Sequence, residues 1–156
     1  MANQTFVVQG ILSTTANDTF IQSIVTTGLT GQDNSAFRIK EMLVEHPQLP
    51  NVLAQVKSEW QLTRGSKSAM VNYSDTSLIL RGVKYQQLAG TGFGVVYDAQ
   101  QDIIPQSDLI VVETQIYLGF KTTAFAALAT VQYKLILEEI KISADQRIAI
   151  LSSRLP

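Results

Sequence analysis

The clearest structural signal in the sequence is the stretch Val56–Thr63, which reads VKSEWQLT. Val56, Ser58, Trp60 and Leu62 occupy every second position, and polar or charged side chains fill the positions between them. Strict alternation is typical of a half-buried β-strand, because successive side chains point to opposite faces. The stretch therefore predicts a strand whose tryptophan packs in a core rather than forming a ligand platform.

Seven further segments carry strand-like patterns, and segments rich in Gly, Pro, Asn and Asp separate them. The eight predicted strands are Gln4–Leu12, Thr19–Thr27, Ala36–Glu45, Val56–Thr63, Ser77–Gln86, Phe93–Asp98, Asp108–Phe120 and Leu128–Ile142. No long helical period lies between them, which disfavours an alternating β-α sheet. The spacing predicts an antiparallel, eight-stranded β-sandwich that occupies residues 1–156 as a single domain.

The two longest predicted strands carry the most detailed patterns. The seventh is expected to hold its apolar residues on one face (Ile110, Val112, Ile116 and Leu118), with Glu113 facing solvent or pairing with a lysine. In the eighth, the alternation slips before Ile140 and Ile142, which predicts a bulge near Glu138–Glu139. These two carboxylates lie on opposite strand faces, which is poor geometry for paired acid–base catalysis.

The last segment changes character at Ser143. Ser143 and Gln146 have the spacing of a capping box, in which each side chain bonds the backbone of the other residue. This pattern predicts a short C-terminal helix over Ala144–Ser152, and continuation of the eighth strand is the alternative.

Composition narrows the range of functions. Charged residues make up 16% of the chain, against about 25% in typical domains. The net charge is −1, and the first basic residue is Arg38, so the N-terminus has no basic arm and strong direct nucleic-acid binding is not expected.

The chain has no cysteine, which excludes disulfides, thiolate catalysis and cysteine-ligated zinc. Met1–Thr5 has no cationic region typical of a secretory signal, and the longest apolar run, Ala124–Val131, is too short for a membrane span.

Few residues suggest chemistry. His46 is the single histidine and precedes a proline in a predicted loop, which favours an exposed loop histidine over a catalytic one. Gly90–Gly94 lacks the spacing and the following helix of a phosphate-binding loop. Asp98, Asp102 and Asp108 match no EF-hand pattern, so calcium is not favoured. The five tyrosines are scattered without a basic field, which disfavours RNA stacking. The sequence therefore predicts no catalytic, cofactor-binding or metal site, and no enzyme.

With these strands laid out, the chain resembles single jelly-roll capsid proteins of small icosahedral viruses. Ile110–Leu118, IVVETQIYL, looks like a long penultimate strand. Val131–Ser143, VQYKLILEEIKIS, looks like the long final strand, and Ser143–Leu151 looks like the short tail after it. The missing basic arm departs from many such coats.

The resemblance implies a jelly roll and a structural coat protein of the virion that assembles with copies of itself in a symmetric shell. It further implies a second capsid protein or an internal membrane as a partner. The loops expected to make lateral contacts are Gly28–Asn34, Arg64–Thr76 and Gly90–Gln106. The alternative is a non-catalytic β-sandwich binding module for carbohydrate or a receptor, such as a viral spike. A third hypothesis, an enzyme on a β-barrel, is disfavoured because cupin-like sites need a histidine cluster and the chain has one histidine.

Overall fold

The computed structural model describes residues 4–14, 19–29, 34–45, 56–88, 95–102, 109–123 and 129–153, with the backbone alone for 87–88 and 95–102. These residues form nine strands and one helix. The elements are β1 (Thr5–Ser13), β2 (Phe20–Thr26), β3 (Ser35–Glu45), β4 (Val56–Thr63), β5 (Leu78–Leu88), β6 (Val95–Asp102), β7 (Ile110–Val111), β8 (Gln115–Thr123), β9 (Thr130–Lys141) and α1 (Ala144–Ser152).

The strands form two antiparallel sheets that pack as a sandwich. The four-stranded sheet has the order β1-β9-β3-β7, and the five-stranded sheet has the order β2-β8-β4-β5-β6. The chain therefore crosses repeatedly from one sheet to the other, which is the connectivity of a jelly roll. Eight strands complete that pattern, and β6 adds a further strand at the edge beside β5. The predicted all-β jelly-roll fold is confirmed.

The main core lies between the two sheets. Its largest fully buried side chains include Trp60 on β4 and Phe120 on β8, which belong to one core cluster with Leu135 and Leu137 of the other sheet. The prediction that Trp60 packs in a core is confirmed, because its exposed fraction is 1%. A buried aromatic ring of this kind removes about 150–250 Å² from water.

The predicted seventh strand is wrong, because Asp108–Phe120 contains parts of two strands in different sheets. β7 pairs with β3, and β8 begins at Gln115 between β2 and β4. Val111 joins the main core, whereas Ile110 and Val112 pack on the opposite side of their sheet. The four apolar residues expected on one face are therefore divided, and the penultimate strand starts five residues later than the resemblance implied.

The segment that leads from β7 in one sheet to β8 in the other is hydrogen-bonded by Thr27, a residue far away in the sequence. The Thr27 hydroxyl donates to the carbonyl oxygens of Glu113, at 2.8 Å, and Thr114, at 3.0 Å. The Glu113 carboxylate accepts the backbone N–H of Val112 at 3.0 Å. Backbone groups that leave a sheet need such partners when they are withdrawn from water.

The predicted bulge near Glu138–Glu139 is also wrong. β9 pairs without interruption with β1, and the register shift lies in β3, between Ile39 and Glu41. Ile140 and Ile142 do not return to the main core. They face outward and form a second apolar cluster with Ala36, Val112, Ile110 and Ile150.

Helix α1 covers this second cluster and confirms the predicted helix at both ends. Ser143 Oγ accepts the Gln146 N–H at 3.1 Å, and the Gln146 side chain accepts the Ser143 N–H at 2.8 Å, which completes the capping box. Arg147 donates to the carbonyl oxygens of Val112, at 2.6 Å, and Ser35, at 3.4 Å. The helix is thereby fixed over one end of the outer face of the four-stranded sheet.

Candidate interaction surfaces

The outer face of the five-stranded sheet is covered in part by the chain itself, while Ile24 on β2 remains 55% exposed. Residues 64–77, which connect β4 to β5 and are called the cover segment below, lie over it. Gln61 on β4 is completely buried. Its amide nitrogen donates to the Ala69 carbonyl at 3.0 Å, and its oxygen accepts the Val71 N–H at 2.8 Å. One side chain thus satisfies two backbone groups of the cover segment, which an apolar residue would leave unpaired.

A charged cluster lies beside Gln61 under the same segment. Glu59 is 6% exposed, and Lys57 Nζ approaches its carboxylate at 2.8 Å. Arg81 also donates to this carboxylate and, at 2.6 Å, to the carbonyl of Val71. Burial alone would raise the pKa of Glu59, but the hydrogen bonds from Lys57 and Arg81 outweigh it and lower that pKa. The Arg81 guanidinium also lies 5.1 Å from the ring centre of Tyr73, on the cover segment.

The two ends of the cover segment are fastened by further polar contacts. Asp75 accepts the Ser77 N–H at 2.8 Å and pairs with Lys67 at 3.1 Å. Hydrogen bonds from Ser77, with a smaller contribution from Lys67, lower the pKa of Asp75 to about 2. At the other end, Arg64 Nε lies 3.3 Å from Glu113. Glu113 therefore pairs with an arginine of its own chain, where the sequence suggested solvent or a lysine.

Close packing beneath the cover segment requires a glycine in β8. A Cβ atom at Gly119 would lie 2.5 Å from the Phe20 ring and 3.2 Å from the Gln61 side chain. Distances of this size demand displacement of the neighbours, since normal carbon contacts lie near 3.5–4.0 Å. The aromatic ring of β2 thus closes over β8 only because residue 119 has no side chain.

The outer face of the four-stranded sheet is different, because apolar side chains there meet solvent. Val7 and Ile11 on β1 are 53% and 66% exposed, and Leu43 on β3 is 47% exposed. These three residues are called the open patch below. Helix α1 does not reach them, since the cluster under it lies at the other end of the sheet. Exposed apolar groups that lie on one face of a sheet are a candidate surface for another molecule to cover.

A shallow groove runs across the open patch. Its volume is about 480 Å³, and its side chains come from β1, β3 and β9: Gln9, Ile11, Leu43, Glu45, Gln132 and Lys134. Lys134 stands between Gln9 and Leu43 in the strand register. The groove therefore mixes apolar, amide and oppositely charged groups, and it can contact both the apolar and the polar parts of a partner.

The two adjacent carboxylates of β9 lie apart, as predicted. Glu138 pairs with Arg38 at 3.1 Å and Lys40 at 3.7 Å on the outer face. Glu139 accepts the Ser35 hydroxyl at 2.8 Å and lines a pocket of about 410 Å³ at one end of the sandwich. Each carboxylate has its own cationic or hydroxyl partner, so the pair does not form an acid–base couple.

The remaining residues considered from the sequence lie largely outside the described part of the chain. His46, Gly90–Gly94 and Asp108 fall in undescribed stretches, and the structure gives only backbone for Asp98 and Asp102. Among the described residues, no group of three or more His, Asp or Glu side chains is arranged to hold a metal ion. The helix of the described residues is too short to cross a membrane.

The three loops predicted to make contacts between copies differ in how much of each the structure describes. Arg64–Thr76 forms most of the cover segment and packs on its own sheet, so its role in contacts between copies stays a prediction. Gly28–Asn34 is described at its two ends, where Gly28 adopts a positive φ of 81° that favours glycine. Gly90–Gln106 is described only as the backbone of β6. The open patch was missed from the sequence, because apolar residues on both faces of β1 predict a strand covered on both sides, whereas Val7 and Ile11 are more than half exposed.

Comparison of the sequence with models of known protein families and with curated proteins gives no match.

Proposed function

We propose that this chain is a structural subunit that assembles with copies of itself into an icosahedral, virus-type shell and performs no catalysis. The observation that carries the proposal is the complete jelly-roll strand order, combined with an apolar patch left open on its four-stranded sheet. Viral capsid proteins use this architecture. Lectins and cupins also use it, so this part of the support is an analogy of fold.

The open patch supports association more directly than the fold does. Ile11 and Val7 stand on a strand whose other face packs on the core through Phe6, Val8 and Leu12. A preordered apolar surface loses little conformational entropy when a partner covers it. Repetition of such a contact around symmetry axes builds closed assemblies from identical subunits.

The charge distribution fits a shell better than a nucleic-acid binder. With a net charge of −1, many copies can be packed side by side without strong mutual repulsion. The same small charge cannot neutralise a packed genome. A shell of this chain would therefore contain a second capsid protein, or enclose a membrane, to separate the coat from the nucleic acid.

One observation favours the alternative of a binding module for carbohydrate or a receptor. The groove across the open patch, at about 480 Å³, lies within the range of about 300–1,000 Å³ typical of small-ligand sites. Its amide and charged side chains, Gln9, Gln132, Glu45 and Lys134, are suited to hydroxyl groups. In this alternative the exposed Ile11 and Leu43 would contact the ligand rather than another copy.

The size of the purified protein distinguishes the two functions. We expect light scattering and negative-stain microscopy to find closed particles, or a concentration-dependent series of oligomers. A parallel sample with anionic lipid vesicles tests the requirement for a membrane, and association only on the vesicles would support the shell with an internal membrane. A monomer in both samples that binds a glycan on an array would overturn the shell proposal in favour of the binding module.

A further inference from the structure

The outer edge of β1 is unusual for the edge strand of a soluble domain. β1 is nine residues long, TFVVQGILS, and contains neither a charged residue nor proline. It stands at the end of the order β1-β9-β3-β7, and within the described part of the chain no segment pairs with its other edge. Natural edges are usually protected by charges, prolines, bulges or short length. The unbroken register of β1 with β9 provides no bulge either.

The ladder with β9 determines which backbone groups face this edge. The Gln4 carbonyl accepts the Glu139 N–H at 2.8 Å. Because hydrogen-bonded and non-hydrogen-bonded positions alternate in an antiparallel pair, the even-numbered residues of β1 bond to β9. The odd-numbered residues, from Thr5 to Ser13, therefore direct their N–H and C=O groups to the open edge. The same odd-numbered residues carry the exposed side chains of the strand.

We propose that β1 pairs antiparallel with β1 of a second copy, around a two-fold axis at Gln9. In this register Gln9 opposes Gln9, Val7 opposes Ile11, and Thr5 opposes Ser13 of the other copy. In this register odd-numbered residues oppose odd-numbered residues, so each of these three pairs exchanges two backbone hydrogen bonds. The four-stranded sheets of the two copies become one continuous sheet. The inference deepens the shell proposal by naming one contact, and it rests on the premise that copies associate.

The side chains select this register among those that the backbone allows. A two-fold axis at Val8 would oppose Val7 to Gln9, and an axis at Gly10 would oppose Ile11 to Gln9. Only the axis at Gln9 sets both exposed apolar residues of one copy against apolar residues of the other. Apolar cross-strand pairs stabilise a sheet, whereas an apolar residue opposite a polar one gains less. The exposed fractions of Val7 and Ile11, 53% and 66%, measure the surface available for this contact.

Single cysteines test the register directly, because the chain has none of its own. In Gln9→Cys the two thiols lie across the axis, with Cα atoms about 5.5 Å apart, which a disulfide can span. We expect mild oxidation to convert most of this variant to a covalent dimer. Thr5→Cys is the matched control on the same strand. Its two copies lie roughly 25 Å apart in this register, so it is expected to remain uncross-linked.

A mixture of Thr5→Cys with Ser13→Cys provides an independent test of the same register. We expect it to form the mixed disulfide, since residues 5 and 13 oppose each other across the axis. All three positions are exposed in the monomer, and unchanged unfolding midpoints would show that the variants fold. The proposal would be overturned by the absence of both the Gln9→Cys disulfide and the mixed disulfide. It would also be overturned by a sample of Thr5→Cys by itself that cross-links to the same extent as a sample of Gln9→Cys by itself.

The outcomes separate this contact from the shell itself. Particles formed by the unmodified chain, without the Gln9→Cys cross-link, would contradict the edge pairing and leave the shell proposal standing. A specific Gln9→Cys dimer from a chain that never forms larger assemblies would support the edge pairing and contradict the shell.

Discussion

The outer faces of the two sheets differ in how much of each face the chain itself covers. On the five-stranded sheet, polar and charged side chains such as Glu59, Gln61 and Thr63 are buried under the cover segment. On the four-stranded sheet, Val7 and Ile11 are more than half exposed. This arrangement reverses the usual tendency of charged residues to meet water and aliphatic residues to avoid it.

The difference separates the surface that the chain itself covers from the surface that the proposed self-association would cover. Burying polar groups is unfavourable unless each finds a hydrogen bond. The cover segment supplies such bonds to Gln61 and Arg81 through Ala69 and Val71, so the chain itself covers this part of the face. Nothing in the described part of the chain supplies apolar cover for the open patch. A second molecule would remove that surface from water, which is the physical basis of the proposed self-association.

The largest expected effect concerns the charged cluster under the cover segment. Arg81→Ala removes one partner of the buried Glu59 and the donor to the Val71 carbonyl. We expect a loss of about 3 kcal/mol in the free energy of unfolding, because a buried carboxylate is left with only Lys57. The measurement is chemical denaturation.

Lys40→Ala is the matched control for Arg81→Ala, since it also removes a cation from a carboxylate. Lys40 is 51% exposed and lies 3.7 Å from Glu138, so its loss should change stability by less than about 0.5 kcal/mol. Equal effects of the two substitutions would contradict the view that the covered face is a buried polar layer.

A smaller effect is expected from the glycine under the covered face. Gly119→Ala brings a methyl group against the Phe20 ring, and overpacking of this kind costs about 2 kcal/mol. Gly65→Ala is the control, because no atom lies within 4 Å of its Cβ position. Thermal denaturation of the two variants should give a clearly lower midpoint for Gly119→Ala only. A neutral Gly119→Ala would mean that Phe20 does not pack over β8.

The smallest expected effect is the pH dependence of stability that arises from the hydrogen bonds and the ion pair of Asp75. Its pKa in the folded protein is about 2, below the ordinary value of 3.8. The stabilisation from this carboxylate is therefore fully present above the ordinary value and is lost as the pH falls from about 4 towards 2. Asp75→Asn should reduce the pH dependence of the urea midpoint in that window. An identical pH profile for both proteins would show that Asp75 does not fasten the cover segment.

Local patterns in the sequence predicted the features that depend on neighbouring residues. The alternation around Trp60 correctly predicted a strand and the face of that strand that packs in the main core. Ser143 and Gln146 correctly gave the start of α1, since both halves of a capping box lie within one turn. The number and spacing of the predicted strands correctly predicted a β-sandwich.

The features that were wrong or missed depend on residues far apart in the chain. The break between β7 and β8 is held by Thr27, more than eighty residues earlier, and no local pattern reports such a contact. Ile140 and Ile142 suggested a bulge because α1, which covers them, could not be placed over the outer face from sequence alone. Gln61 and Glu59 looked solvent-exposed because the cover segment has the composition of an ordinary polar loop.

Sedimentation velocity of three proteins tests the contrast between the two faces most directly: the unmodified chain, Ile11→Lys and Ile24→Lys. Ile11 and Ile24 are both exposed isoleucines on edge strands, 66% and 55% exposed, but Ile24 stands on β2 of the five-stranded sheet. Neither lysine should change the stability of the monomer by more than about 0.5 kcal/mol. We predict that the unmodified chain and Ile24→Lys sediment as the same oligomers, and that Ile11→Lys sediments as a monomer. Oligomers of Ile11→Lys identical to those of the unmodified chain, or equal loss of association in both variants, would contradict the assignment of the open patch as the association surface.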